Sequence, residues 1–293
     1  MKKITVFTPT YNRAHLLPRL YKSLCRQTSK DFLWLVIDDG SSDGTEQLIQ
    51  KWQAENRIEI QYHYKENGGM HTGHNAAYKI IVTELNLCID SDDYMPENGI
   101  AVILEAWDKV ENKDDVSGIV GLDATANGVV IGSRMPQNVG EGSYHDLYTR
   151  YKAMGDKKFV LKTKELKKYP LYPEYENEKL VPLGILYIMM GDEKPFFFLD
   201  DVICIVEYQE GGSSNTILKQ YFQSPKGFAY ARKIRLKHTS SAKDILKNCL
   251  HLSSLFFITH DFKILHENNK FKFLTILLLP VGFVFYKYLQ LKK

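Results

Sequence analysis

Leu85-Asn86-Leu87-Cys88-Ile89-Asp90-Ser91-Asp92-Asp93 decides the fold: a short apolar run that ends abruptly in an acidic cluster. The run predicts a buried strand, and the cluster lies at its carboxyl end. Side chains alternate along a strand, so Asp90 and Asp92 share one face. Two carboxylates on one face can hold Mg2+ or Mn2+ while phosphate oxygens complete the shell. Read alone, the same residues are an acidic turn before a helix, and both readings stay open at this point.

Upstream, the signal repeats. Ile4 to Thr8 is a β-branched apolar run closed by Pro9, and Leu33 to Ile37 runs into Asp38-Asp39-Gly40-Ser41-Ser42-Asp43-Gly44-Thr45. Ile58 to Tyr62 alternates as a third strand before the Asn67-Gly68-Gly69 loop. Between them, Leu16, Leu17, Leu20 and Leu24, then Leu48, Ile49 and Trp52, recur at helical spacing, and residues 73–82 read as a third helix. Asn12 is placed to cap the first helix. Strands alternating with helices predict a mostly parallel sheet with helices on both faces, which binds ligands outside the carboxyl ends of its strands.

The chain has 293 residues, 44% hydrophobic and 25% charged, enough for a large core. Its net charge of +3 is unevenly spread. Residues 231–293 hold 12 Lys and Arg against 3 Asp and Glu, a net of +9 that leaves −6 for the rest. Cys25, Cys88, Cys204 and Cys249 are far apart among apolar neighbours, which argues against a zinc site or a disulfide framework and fits a reducing cytosol. The first apolar run is too short for an export signal. Beyond about residue 111 the rhythm loosens, with short strands expected at 119–122 and 129–131. Asp200-Asp201 sits between two apolar segments in what reads as a strand or a strand pair with a turn, and is taken as structural.

The order of motifs is more specific than any one of them. Thr8-Pro9-Thr10-Tyr11-Asn12-Arg13, Asp38 to Thr45, Glu66 to Asn75 and Asp90 to Asp93 together resemble the family 2 inverting glycosyltransferases over roughly residues 1–110. That resemblance implies the GT-A fold and a nucleotide-sugar donor, UDP-linked in our reading. It implies that Thr8, Pro9, Tyr11 and Arg13 flank the nucleotide, that Asp39 contacts the base, and that Asn67, Gly68, Gly69 and Asn75 line the donor. Asp90 and Ser91 would contact ribose and diphosphate, Asp92 would hold Mn2+ or Mg2+, and Asp93 is the alternative ligand. His71 and His74, in the same segment, could contact phosphate, although a lone loop histidine is more often structural or solvent-facing.

In Glu174-Tyr175-Glu176-Asn177-Glu178-Lys179-Leu180-Val181-Pro182 the resemblance points to Glu178 as catalytic base, although Lys179 stands where relatives carry a second acid. Glu207 to Asn215 resembles a further family segment, a hydroxylated glycine-rich loop able to close over diphosphate or acceptor. The implied partners are a saccharide or polyprenyl-diphosphate-linked saccharide acceptor, as in capsule or O-antigen assembly, and no nucleic acid. A sugar nucleotidyltransferase would open on a glycine-rich phosphate loop, and Thr8 to Arg13 has no glycine. A nucleotide-binding scaffold without catalysis remains the non-enzymatic alternative.

Phe273 to Tyr286 carries no charge but is only 14 residues long and holds Pro280 and Gly282, whereas a spanning helix needs about 20. A basic, apolar C-terminal helical segment lying on the inner face of the cell membrane suits it better, with a helix packed on the catalytic domain as the alternative. The expected organisation is therefore a nucleotide-sugar half at 1–110, an acceptor half at 111–232 and the membrane-associating segment at 233–293.

Overall fold

The computed structural model describes residues 2–207 and 216–292. Its elements run β1 (Ile4–Thr10), α1 (Leu17–Cys25), β2 (Phe32–Asp38), α2 (Thr45–Glu55), β3 (Ile60–Tyr64), α3 (Met70–Ile80), β4 (Leu85–Cys88), α4 (Gly99–Asp108) and β5 (Gly118–Ala124). There follow β6 (Glu141–Gly142), α5 (Tyr144–Thr149), β7 (Lys157–Lys162), α6 (Thr163–Leu166), α7 (Gly184–Glu193) and β8 (Phe196–Ile205). The remainder is helical: α8 (Ile217–Gln223), α9 (Pro225–Lys237), α10 (Ala242–Thr259), α11 (Lys263–His266), α12 (Lys272–Leu277) and α13 (Leu279–Lys292). Two compact units result, Met1–Pro170 with Met190–Gln209, and Leu171–Met189 with Glu210–Lys293.

The first unit holds an eight-stranded sheet in the order β3-β2-β1-β4-β7-β5-β8-β6. From β3 to β4 all neighbours are parallel, as the alternation predicts. The second half is mixed, because β7 runs antiparallel to both β4 and β5 while β5 and β8 are parallel. The chain winds outward from β1 through β2 to β3 and then returns to the other side of β1 as β4. The strand order therefore reverses at β1, and ligands bind at such a reversal, outside the carboxyl ends.

Alternation along β1 places helices on both faces. Ile4 and Val6 join a core with Leu17, Leu20 and Leu24 of α1 and Ile49 and Trp52 of α2. On that face Tyr21 stacks on Trp52 at 4.3 Å, and the Trp34 indole donates to the Thr8 hydroxyl at 3.0 Å. On the opposite face Phe7 meets His74 and Tyr78 of α3 at 5.0 and 5.6 Å.

Several expectations are corrected. Pro9 does not end β1, which continues to Thr10: its pairing with β4 stops at Phe7, so at Pro9 the strand pairs with β2 alone and has an edge that tolerates a missing N–H. Asn12 does not cap α1: it has φ 51° and its side-chain oxygen accepts from the Ser42 amide, while α1 begins at Leu17. Residues 129–131 form only a single bridge, Val130 to Ala124. Of the two readings of Asp200-Asp201, the single strand holds: both lie exposed within β8, where Asp200 accepts from Arg134 and from the Met135 amide.

The second unit is helical at its core, with Phe228 and Leu236 of α9 packed against Cys249, Leu252 and Leu255 of α10. All four cysteines are free. Among the described residues no helix is long and apolar enough to cross a membrane.

Gly118 has φ +147°, and a Cβ there would lie 2.1 Å from the Val160 carbonyl oxygen. Gly118→Ala must open the β5–β7 pairing. We expect it to cost more than about 2 kcal/mol in urea unfolding; an unchanged midpoint would contradict this packing.

Candidate functional site

Four neighbouring strands, β3, β2, β1 and β4, end together around the reversal point. The Asp39 amide donates to the Thr10 carbonyl at 2.8 Å, the Lys65 amide to the Asp38 carbonyl at 2.9 Å, and the Ile89 amide to the Phe7 carbonyl at 3.0 Å. The chain leaving β2, β3 and β4 is thereby tied to the strand beside each.

Asp39 organises the first side of the site. It is only 4% exposed, so its carboxylate must be satisfied from within. Oδ1 accepts from Lys65 Nζ at 2.5 Å and the Gly68 amide at 3.0 Å, and Oδ2 accepts from the Gly69 amide at 2.8 Å and Asn67 Nδ2 at 3.0 Å. Four donors fill the lone-pair sites of one carboxylate. Asn67 Nδ2 also donates to the Asp39 carbonyl. The glycines are needed for approach as well as for conformation: a Cβ on Gly40 would lie 2.9 Å from the Asn67 nitrogen, and Gly69 has φ +95°. Asp39 therefore holds the Asn67-Gly68-Gly69 loop where α3 begins. Asp38 is separately fixed by the Tyr62 hydroxyl and the Ser41 amide.

The acidic cluster forms the second side, and its three carboxylates have different surroundings. Asp92 Oδ2 pairs with Arg13 Nη1 at 3.2 Å, and the same guanidinium nitrogen reaches the Ser91 hydroxyl at 3.2 Å. Burial raises the Asp92 carboxyl above the ordinary range, nearby Asp90 adds to this, and Arg13 opposes it. Asp93 points inward instead: it is 5% exposed, lies 3.6 Å from Lys158 Nζ and accepts from the Glu207 amide. Burial pushes its carboxyl up to about 7. Asp90 is partly buried and accepts a long contact from the Cys88 thiol.

These surroundings divide the expected residues. Arg13, Ser91 and Asp92 are brought together, and Asp39, Asn67, Gly68 and Gly69 form one network. Asn75 is buried on α3, and Tyr11 is 48% exposed at the end of β1. Thr8 is corrected: its hydroxyl is committed to Trp34 in the core. Pro9 is buried against Gly73. Asp93, the alternative metal ligand, faces Lys158 and the Glu207 amide rather than Arg13. His74 is buried against Phe7, and burial lowers its imidazole to about 4, so it stays neutral.

Among the described residues no group of three or more His, Cys, Asp and Glu is arranged to hold a metal ion. Asp92 can offer one carboxylate to a hard cation that draws its other oxygens from phosphates, a donor set that suits Mg2+ or Mn2+. Glu178 lies in the second unit, where Oε1 accepts from the Lys226 amide at 3.0 Å and Oε2 from the Gly227 amide at 2.9 Å. It thus caps the first turn of α9. The expected loop residues 208–215 lie outside the described residues.

Sequence reading missed three residues around the cluster. Lys158 of β7 sits among acids: burial alone would lower its ammonium, but Cys204, Asp123, Asp90 and Asp93 raise it well above the usual range. Asp123, at the end of β5, is 3% exposed and has an Oδ1 without a hydrogen-bond partner. Arg19 of α1 donates to the Asp92 carbonyl at 2.8 Å and pairs with Glu207. Neither Lys158 nor Arg19 sits in a motif, and only the fold brings them here.

The comparisons agree with this geometry. A family model described as glycosyl transferase family 2 matches residues 5–173, more than half the chain. An uncharacterized glycosyltransferase of Rickettsia conorii is 29% identical over 147 residues, which are 46% of this chain and only 23% of that protein. The crystal structure of residues 1–349 of S. aureus TarS with UDP-GlcNAc shares the fold over 99% of this chain and 90% of that one, with TM-score 0.64 and 18% identity. The mannosyltransferase PcManGT from Pyrobaculum calidifontis, in complex with GDP-Man and Mn2+, covers 96% of this chain and 73% of its own, with TM-score 0.55 and 15% identity. The architecture is that of the GT-A glycosyltransferases, and the chain belongs to glycosyl transferase family 2.

Proposed function

We propose that the chain transfers a hexosyl group from a UDP-linked sugar to a hydroxyl of a saccharide or lipid-linked saccharide, with inversion and with a divalent cation. The observation that carries this reading is the pairing, at the β1 reversal point, of the Asp39-held glycine loop with the Arg13–Asp92 pair. One side offers backbone approach to a nucleotide; the other offers a cation and a carboxylate where a diphosphate would lie. Structures sharing the fold contain UDP-GlcNAc in one case and GDP-Man with Mn2+ in another, which supports a nucleotide-sugar donor.

In the proposed reaction the acceptor oxygen bonds to the anomeric carbon as the bond from that carbon to the diphosphate oxygen breaks. The diphosphate leaves with the electron pair, and the acceptor proton must go to a base. A divalent cation bound at Asp92 would neutralise the leaving diphosphate. Arg13 adds a fixed positive charge beside it, at no reorganisation cost during the reaction. We propose Glu178 as the base; its two amide contacts fix the carboxylate and still leave lone pairs for a proton.

With purified protein, a panel of nucleotide-sugars and Mn2+, Asp92→Asn should lower nucleoside diphosphate release by at least about 100-fold while the melting temperature stays within a few degrees. Normal turnover in that variant would refute the assignment. In the same assay Glu178→Gln should lower transfer to acceptor about 100-fold or more but spare donor hydrolysis. A lowered melting temperature with undiminished transfer would leave Glu178 as a helix cap alone.

A further inference from the structure

Of the 17 large apolar side chains that stand exposed among the described residues, eight lie on α12 and α13. Helix α13 lies on α10 by one face: a Cβ on Gly282 would come 2.5 Å from Ser253 Cβ, Phe283 is 5.2 Å from Phe257, and Phe285 is 5.1 Å from His251. Its outward face carries Val281, Val284, Tyr288 and Leu291, which recur three and four residues apart and are 54, 66, 54 and 87% exposed. Helix α12 repeats the arrangement with Phe273, Ile276 and Leu277 at 79, 45 and 75%. A helix packed on a protein core shows one apolar face, and α13 has two. A contiguous apolar surface of this kind is stable only when something covers it.

Charge identifies the cover. From residue 270 to 293 the chain has five lysines, Lys270, Lys272, Lys287, Lys292 and Lys293, and no acid. Lys272 lies over the Phe273 ring at 5.3 Å and Lys287 over the Tyr286 ring at 5.3 Å, so the aliphatic stems run along the apolar surface with the ammonium groups at its rim. We propose that the outward faces of α12 and α13 dock on an anionic lipid bilayer, with the apolar stripe entering the boundary between headgroups and acyl chains and the lysines meeting lipid phosphates. A second copy of the chain fits worse, because a two-fold contact would bring one lysine rim against another with no acid between. At 6 and 14 residues, α12 and α13 are roughly 9 and 21 Å long, short of the roughly 30 Å hydrocarbon core, so they lie on the surface. The inference stands apart from the donor chemistry.

The test is co-sedimentation of the full chain with vesicles of phosphatidylcholine alone and of phosphatidylcholine with phosphatidylglycerol. Binding should be at least about tenfold tighter to the anionic vesicles and should weaken as salt rises. The triple variant Leu277→Glu, Val284→Glu, Leu291→Glu should lose about tenfold or more in binding while keeping its circular dichroism and nucleotide release, since all three side chains are exposed. Lys270→Gln, Lys272→Gln, Lys287→Gln should abolish the preference for anionic lipid. Failure of the native chain to bind anionic vesicles, unchanged binding in both variants, or a dimer that the glutamates disperse without any vesicle binding would each overturn the proposal.

Discussion

The donor side of this molecule depends on one buried carboxylate. Asp39 cannot be hydrated where β2 ends, so the chain must supply donors, and those in place are Lys65, Asn67 and the amides of Gly68 and Gly69. Charge-assisted bonds of this kind contribute about 1.5–3 kcal/mol each, and losing one would leave a buried charge short of a partner. The requirement fixes a loop that otherwise has little to hold it, and fixes it beside the point where the strand order reverses. The surface proposed to bind the nucleotide is thus built mainly from backbone, with one side chain as its clamp.

A second charged assembly lies under the acidic turn and separates three adjacent aspartates by surroundings. Lys158 and the Glu207 amide draw Asp93 inward, Arg19 holds the Asp92 carbonyl, and Arg13 faces the Asp92 carboxylate. Without Lys158, Asp90, Asp93 and Asp123 would stand close together with little to offset their repulsion. The mixed second half of the sheet is therefore part of the site's electrostatics: β7 brings Lys158, β5 brings Asp123, and the end of β8 brings Cys204 and Glu207.

Much of this was legible in the chain. The parallel half could be read because its strands are short apolar runs, each followed by a helical stripe and a polar loop, and Asp39, Asn67 and Asp92 announce themselves by motif. Lys158 could not be read, because Lys157-Lys158 at the head of an ordinary strand looks like solvated surface until β7 is seen to lie between β4 and β5. Thr8 misled because its motif neighbours face the site while its own side chain, two residues from Val6 on the same face of β1, must enter the core. Asp200-Asp201 left one strand or a strand pair open, because an acid pair can break a strand, whereas here the side chains stand exposed on a strand that continues. Local pattern carries alternation and turns; it does not carry which distant strand becomes a neighbour.

The central claim is that a nucleoside diphosphate lies between the Asp39-held loop and Asp92 and is bound there together with a divalent cation. Titration calorimetry of UDP into the intact chain, with Mn2+ and again with chelator, tests this most directly. The account predicts saturable binding at one site per chain that Mn2+ strengthens by about tenfold or more. Absence of binding under both conditions, or an affinity indifferent to the metal, would contradict it.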